Sequence, residues 1–180
     1  TGVPGPYILV GALGGANNPI LYTDQYPQDV AGLVFVPPLY PTYYDHALDK
    51  LGTVTTTTSA ERKGLIEGIN DYKEKKLDTW DTNPEYVDLI ASEAQVLKVV
   101  SLKDIPLIIL ESETWYTGAF SEAEINQIVW DAFQESYKDL CKLSSNCQRV
   151  KVLGTDFGTL FRNPAVDKAI QEMYDAVKQP

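Results

Sequence analysis

Three short runs of the chain are apolar at every position: Tyr7–Val10, Leu33–Val36 and Leu107–Leu110. A fourth, Val150–Leu153, is interrupted only by Lys151. A strand with one wet face alternates, so runs without alternation predict strands covered on both faces, as in parallel sheets. Between and after these runs the period changes to that of helices. A helix is predicted at about residues 16–26, and another to about Leu77 with Leu65, Ile69, Tyr72 and Leu77 on one stripe. A third reaches about Leu97, and a long one carries Ile125, Ile128, Val129, Ala132, Phe133, Tyr137 and Leu140 inward. The last has Val166, Ile170, Tyr174 and Val177 on one face. Thr58-Ser59-Ala60-Glu61 and Ser121-Glu122-Ala123-Glu124 have the capping-box pattern, and Asn83-Pro84 and Asn163-Pro164 are cap-plus-proline starts. Strands alternating with helices predict an α/β fold: a mainly parallel sheet, right-handed crossovers and helices on both faces. Without repeats or low-complexity tracts, residues 1–180 form a single domain, with a small helical cap at about 39–98 inserted between strands.

The first strand runs into a glycine-rich turn, Gly11-Ala12-Leu13-Gly14-Gly15, then a helix and a second strand. A dinucleotide fold would need G-x-G-x-x-G and an acid at the end of the second strand, where Val36 and Pro37 stand. The stretch instead resembles the nucleophile elbow of the α/β-hydrolases, in which G-x-S-x-G joins a strand to a helix. Tyr26-Pro27-Gln28-Asp29-Val30-Ala31-Gly32-Leu33-Val34-Phe35-Val36-Pro37-Pro38 continues in step with that family's pattern. The resemblance covers essentially the whole chain and implies the C-terminal half of a truncated, three-layer hydrolase-like fold.

It also implies where a catalytic triad would lie. Leu13 falls at the nucleophile's position, and Phe157 at the histidine's when Thr155–Pro164 is anchored on its proline. The acid falls either at Pro37 or in the loop after the next strand, Glu111-Ser112-Glu113-Thr114-Trp115-Tyr116, where Glu111 or Glu113 is a surviving carboxylate. Neither leucine nor phenylalanine performs the serine or histidine role.

Composition narrows the remaining classes. The net charge of −10 disfavours nucleic acid and anionic membrane surfaces, and no run approaches the roughly 20 apolar residues of a membrane helix. The chain starts at Thr1 rather than Met, which fits a preceding signal peptide, pro-segment or N-terminal half. Cys141 and Cys147 bracket a helix-to-strand turn, a spacing that fits a small-loop disulfide as well as two free thiols. We expect the bridge, and with it a secreted, extracellular protein. Asp156-Phe157-Gly158 spells the kinase magnesium motif without any of its companions. One histidine and two cysteines supply no metal site, and no cofactor is expected.

The open chemistry lies near Tyr40, Tyr43, Tyr44, Asp45 and the only histidine, His46, after the second strand. His46 is either a base for proton transfer or a hydrogen-bonded cap residue. A mostly apolar, aromatic-rimmed cleft is expected between Leu13, Pro37, Phe157 and residues 40–46, with Trp115 and Asp156 on its rim; the competing expectation is collapse onto a filled core. Three functions follow: a catalytically degenerate hydrolase-like protein binding a small apolar ligand or a protein partner, a cyclase- or isomerase-type enzyme, or a fragment of a larger hydrolase. A sheet beginning at the elbow strand leaves an edge for a partner chain or a second copy to cover.

Overall fold

The structure, a computed structural model, describes residues 4–53, 59–74, 88–116 and 119–178. Strands β1 (Tyr7–Leu13), β2 (Val30–Pro38), β3 (Leu107–Thr114) and β4 (Cys147–Asp156) form one all-parallel sheet in that spatial order. The helices are α1 (Asn17–Gln25), α2 (Thr42–Thr53), α3 (Ala60–Lys73), α4 (Leu89–Val96), α5 (Ala123–Cys141) and α6 (Ala165–Lys178). Each connection moves one strand further across the sheet, so β1 and β4 are its edges.

The unbroken apolar runs divide by parity between two cores. Leu33, Phe35, Leu107 and Ile109 pack with α1, α2 and α5 on one face. Val34, Val36, Ile108 and Leu110 pack with Ala169 and Met173 of α6 on the other. This is the expected α/β arrangement of three layers. On α5 every residue expected inward is buried, and a disulfide between Cys141 and Cys147, with Cα atoms 5.5 Å apart, ties its end to the start of β4.

Several local expectations are corrected. The strands outrun their apolar runs: residues 111–114, expected as loop, stay in β3 because Glu111, Ser112 and Thr114 pair with Lys151, Val152 and Asp156. Apolarity misses them because Ser112 and Glu111 are polar yet buried, each with an internal partner. The capping box at residue 121 does not form either. Glu61 of α3 reaches across and accepts from Ser121 N (3.0 Å), Ser121 Oγ (2.8 Å) and Glu122 N (3.2 Å). The bonds from Ser121, then Glu122, hold its carboxyl below the usual range. At the start of α3 itself the cap is Ser59, which accepts from Arg62 N at 3.1 Å. Thr58, Leu77 and Asn83-Pro84 lie outside the described residues, and α4 is capped by Asp88, which accepts from Ala91 N at 2.8 Å. On α6, Asn163 caps Ala165 N as expected, but Tyr174 is exposed and Met173 is buried. Gly32 decides that rotation: a Cβ there would lie 2.3 Å from Met173 Sδ.

The start of α1 has a comparable dependence. A Cβ on Gly11 would stand 2.7 Å from Ala16 Cα, a backbone atom with no freedom to give. Gly14, two positions past Ala12, has nothing within 4 Å of such a Cβ. Gly11→Ala is therefore expected to lower stability by about 1–3 kcal/mol, while Gly14→Ala stays within about 1 kcal/mol of the parent. Urea unfolding of both variants checks the contrast.

Candidate functional site

The C-terminal end of β1 carries the most unusual backbone in the described chain. Leu13 has φ 49° and ψ −136°, a conformation costing a bulky residue on the order of 1–3 kcal/mol. Its surroundings impose it. Leu13 pairs with Pro38, its carbonyl accepts from Leu39 N at 3.1 Å, and a tight turn at Gly14–Ala16 leads directly into α1. This is a strand, a strained residue and a helix, the geometry that presents a nucleophile at the top of a hydrolase sheet. Here it presents a leucine side chain, 42% exposed.

Phe157, just past β4, is 5% exposed. Its ring lies 4.6 Å from Trp115, 5.2 Å from Phe133 and 5.5 Å from Tyr116 by centroids. Phe133 also stacks on Trp115 at 4.8 Å and on Tyr43 at 4.2 Å. Pro37 is buried in β2. Five cavities of about 190 to 490 Å³ are lined by residues other than Leu13, Pro37 and Phe157. The expected cleft is thus filled around Phe157, because four rings from α2, α5 and the ends of β3 and β4 interlock there.

The carboxylates have other work. Glu111, 4% exposed at its side chain, is bound by Arg149 through Nε and Nη2, the second bond at 2.9 Å. Arg149 Nη2 donates in turn to Gln134 Oε1 at 2.8 Å. Glu113 is exposed and accepts from Gly154 N at 2.8 Å. Asp156 closes a turn by accepting from Thr159 N and Oγ1 at 2.7 and 2.8 Å, and the backbone bond, then the hydroxyl, holds its carboxyl low.

The tyrosine cluster separates into core and rim. Tyr40 and Tyr43 are buried, and burial pushes each hydroxyl up to about 12. Tyr44 is half-buried and turns toward α3, its ring 4.8 Å from Tyr72. His46 leaves this group and meets Asp139 of α5, Nε2 to Oδ2, at 2.6 Å. Asp139 also accepts from Lys142 at 2.7 Å. Burial opposes its charge, but the bonds from Lys142 and His46 prevail and keep its carboxyl below the ordinary range. Trp115 lines a groove of about 490 Å³ with Glu113, Tyr116 and Trp130. Asp139, Arg149, Tyr72 and Glu93 escape sequence reasoning because their partners lie 21 to 93 positions away.

No protein-family model and no curated protein matches the sequence. Solved structures do match it. A point mutant of an epoxide hydrolase from Bacillus megaterium aligns over 97% of this chain and 70% of its own, with a TM-score of 0.51 at 14% identity. A hydrolytic enzyme from Pseudomonas aeruginosa aligns over 96% and 64%, with a TM-score of 0.49 at 17% identity. The chain has the α/β-hydrolase fold, and it spans about two-thirds of the length of the solved structures it matches. At these identities the likeness is one of fold.

The Glu111–Arg149 pair makes a direct prediction about which carboxylate is structural. Arg149→Met strands a buried charge and is expected to cost about 3–5 kcal/mol, whereas Glu113→Ala, at an exposed site, costs no more than about 1 kcal/mol. Thermal and urea unfolding of the two variants measure this.

Proposed function

We propose that the chain keeps the hydrolase scaffold without its acyl-serine chemistry and serves as a binding module. The carrying observation is Leu13 at the tip of a fully formed elbow: the strained backbone is present and the hydroxyl is not. Acyl transfer needs a nucleophile and a base to take its proton. Phe157, at the resemblance's histidine position, supplies no base and is packed among rings. The partner in this reading is a polypeptide that adds strands to β1. The outer side of β1 has no strand neighbour among the described residues, Val10 is 47% exposed beside it, and the chain accounts for 70% of the length of the epoxide hydrolase it resembles. An open strand edge is a ready template for such addition. The same reading takes an oxidising, extracellular setting, which the Cys141–Cys147 disulfide supports.

A second reading, proton transfer by His46, is favoured by the 2.6 Å bond to Asp139. A carboxylate that fixes an imidazole is half of a triad, but the same five cavities are lined by residues other than His46.

A fluorophosphonate probe and a panel of nitrophenyl esters are expected to give no labelling and no turnover. Leu13→Ser is expected to stay silent too, since a serine without a base is a weak nucleophile. Stoichiometric labelling of a serine in the parent chain overturns the reading.

The partner is tested by amide exchange on chain 1–180 alone and on the protein isolated from its source. Residues 8–12 are expected to exchange faster than residues 33–36 in the isolated chain and to gain protection in natural material. Equal exchange of residues 8–12 in both samples rejects strand addition at β1.

A further inference from the structure

We propose that the open pocket between α2, α3 and α4 is a binding site for a small organic ammonium ion. It is separate from the elbow and does not depend on the reading above. The cavity holds about 190 Å³ and is lined by Pro41, Tyr44, Tyr72, Ile90, Glu93 and Leu97, among others. The rings of Tyr44 and Tyr72 stand 4.8 Å apart at 31°. Glu93 of α4 accepts from the Tyr72 hydroxyl at 2.9 Å, and the Tyr44 hydroxyl lies within reach of Tyr72.

The charge arrangement selects the ligand. Three charged side chains line the cavity: Asp45 from α2, Lys73 from α3 and Glu93 from α4. Lys73 is paired with Asp45, so these two cancel. Among the described residues Glu93 has the Tyr72 hydroxyl as its partner, and burial pushes its carboxyl up to about 7, the Tyr72 bond offsetting only part of that. A carboxyl held this way lacks a counter-charge. An alkylammonium supplies one, donates to the carboxylate in a charge-assisted bond, and meets the aromatic wall that Tyr44 and Tyr72 give the cavity. The apolar walls of Pro41, Ile90 and Leu97 suit a short hydrocarbon tail. An anion would face two carboxyls, and a neutral ligand would bury Glu93 without compensating it.

Binding is then linked to protons. Below about pH 7 Glu93 is largely protonated, so each ammonium bound displaces one proton from its carboxyl to solvent. Affinity is expected to rise about tenfold per pH unit well below that value and to level off above it.

Calorimetry on the full chain with n-butylammonium tests this directly, with 1-butanol and butyrate as controls of the same length. One site with a Kd on the order of 1 mM is expected for so few atoms. Affinity should strengthen between pH 5.5 and 7.5, and neither control should bind. Glu93→Gln should weaken binding at least about tenfold at pH 7.5 and abolish the pH dependence. Tyr44→Leu, which keeps the carboxyl and removes one ring, should weaken it severalfold and keep the pH dependence. This second variant decides the matter if Glu93→Gln fails to fold. Equal binding of butanol, undiminished binding by either folded variant, or no saturable butylammonium binding each overturns the proposal.

Discussion

The approach of Gly11 to Ala16 sets the angle at which α1 leaves β1, and much of the molecule is built on that angle. A side chain at position 11 would meet backbone at 2.7 Å, so the turn between strand and helix has no slack. Within it Leu13 is driven to positive φ and held by pairing with Pro38 and by the bond from Leu39. Those same bonds aim the chain from β2 into α2. The elbow thus has a structural purpose that survives whatever stands at its tip, because the backbone strain is over-determined by neighbouring hydrogen bonds.

What lies above the sheet is set by aromatic rings. Tyr43 from α2, Phe133 from α5, Trp115 after β3 and Phe157 after β4 form one continuous stack. Each aromatic pair adds about 0.5–1.5 kcal/mol beyond its burial. Such a stack couples the cap to the two strand ends where a hydrolase pocket would open. Remaining polar groups are drawn to its margins: His46 to Asp139 and Glu111 to Arg149. Open space is displaced to the groove beside Trp130 and to the cavity under α4.

The sheet, its parallel sense and its two covered faces were legible because buried parallel strands write themselves as unbroken apolar runs. So was the elbow, whose glycines and following Tyr26-Pro27 pattern are local in sequence. The polar half of the fold was not legible in this way. Glu61 looked like the second member of its own helix's capping box, yet it accepts from Ser121 and Glu122 just before α5, sixty residues on. Glu111 looked like a catalytic acid in a loop and is a buried ion pair in a strand. Tyr40, Tyr43 and Tyr44 looked like one pocket wall, but Tyr40, before α2, and Tyr43, on it, go into the core, while Tyr44 turns toward Tyr72. Local pattern gives the strands and helices, whereas the choice of polar partner is made across the fold and leaves no signature at short range.

The two edges of the sheet differ in a way that bears on how the chain is used. Along β4, Gln148, Arg149 and Lys151 interrupt the apolar positions, Cys147 and Val152 pack against the two cores, and Val150 and Leu153 are exposed. Charged residues on an edge strand are a common device against unwanted pairing. The β1 sequence, YILVGAL, contains no charged residue at all. Its Val10 and Leu13 are nearly half exposed, and its outer amides and carbonyls carry no such protection. An edge meant for solvent is expected to look like β4, and an edge meant to be covered is expected to look like β1. On the proposed reading, the uncharged β1 is the edge that a further strand covers.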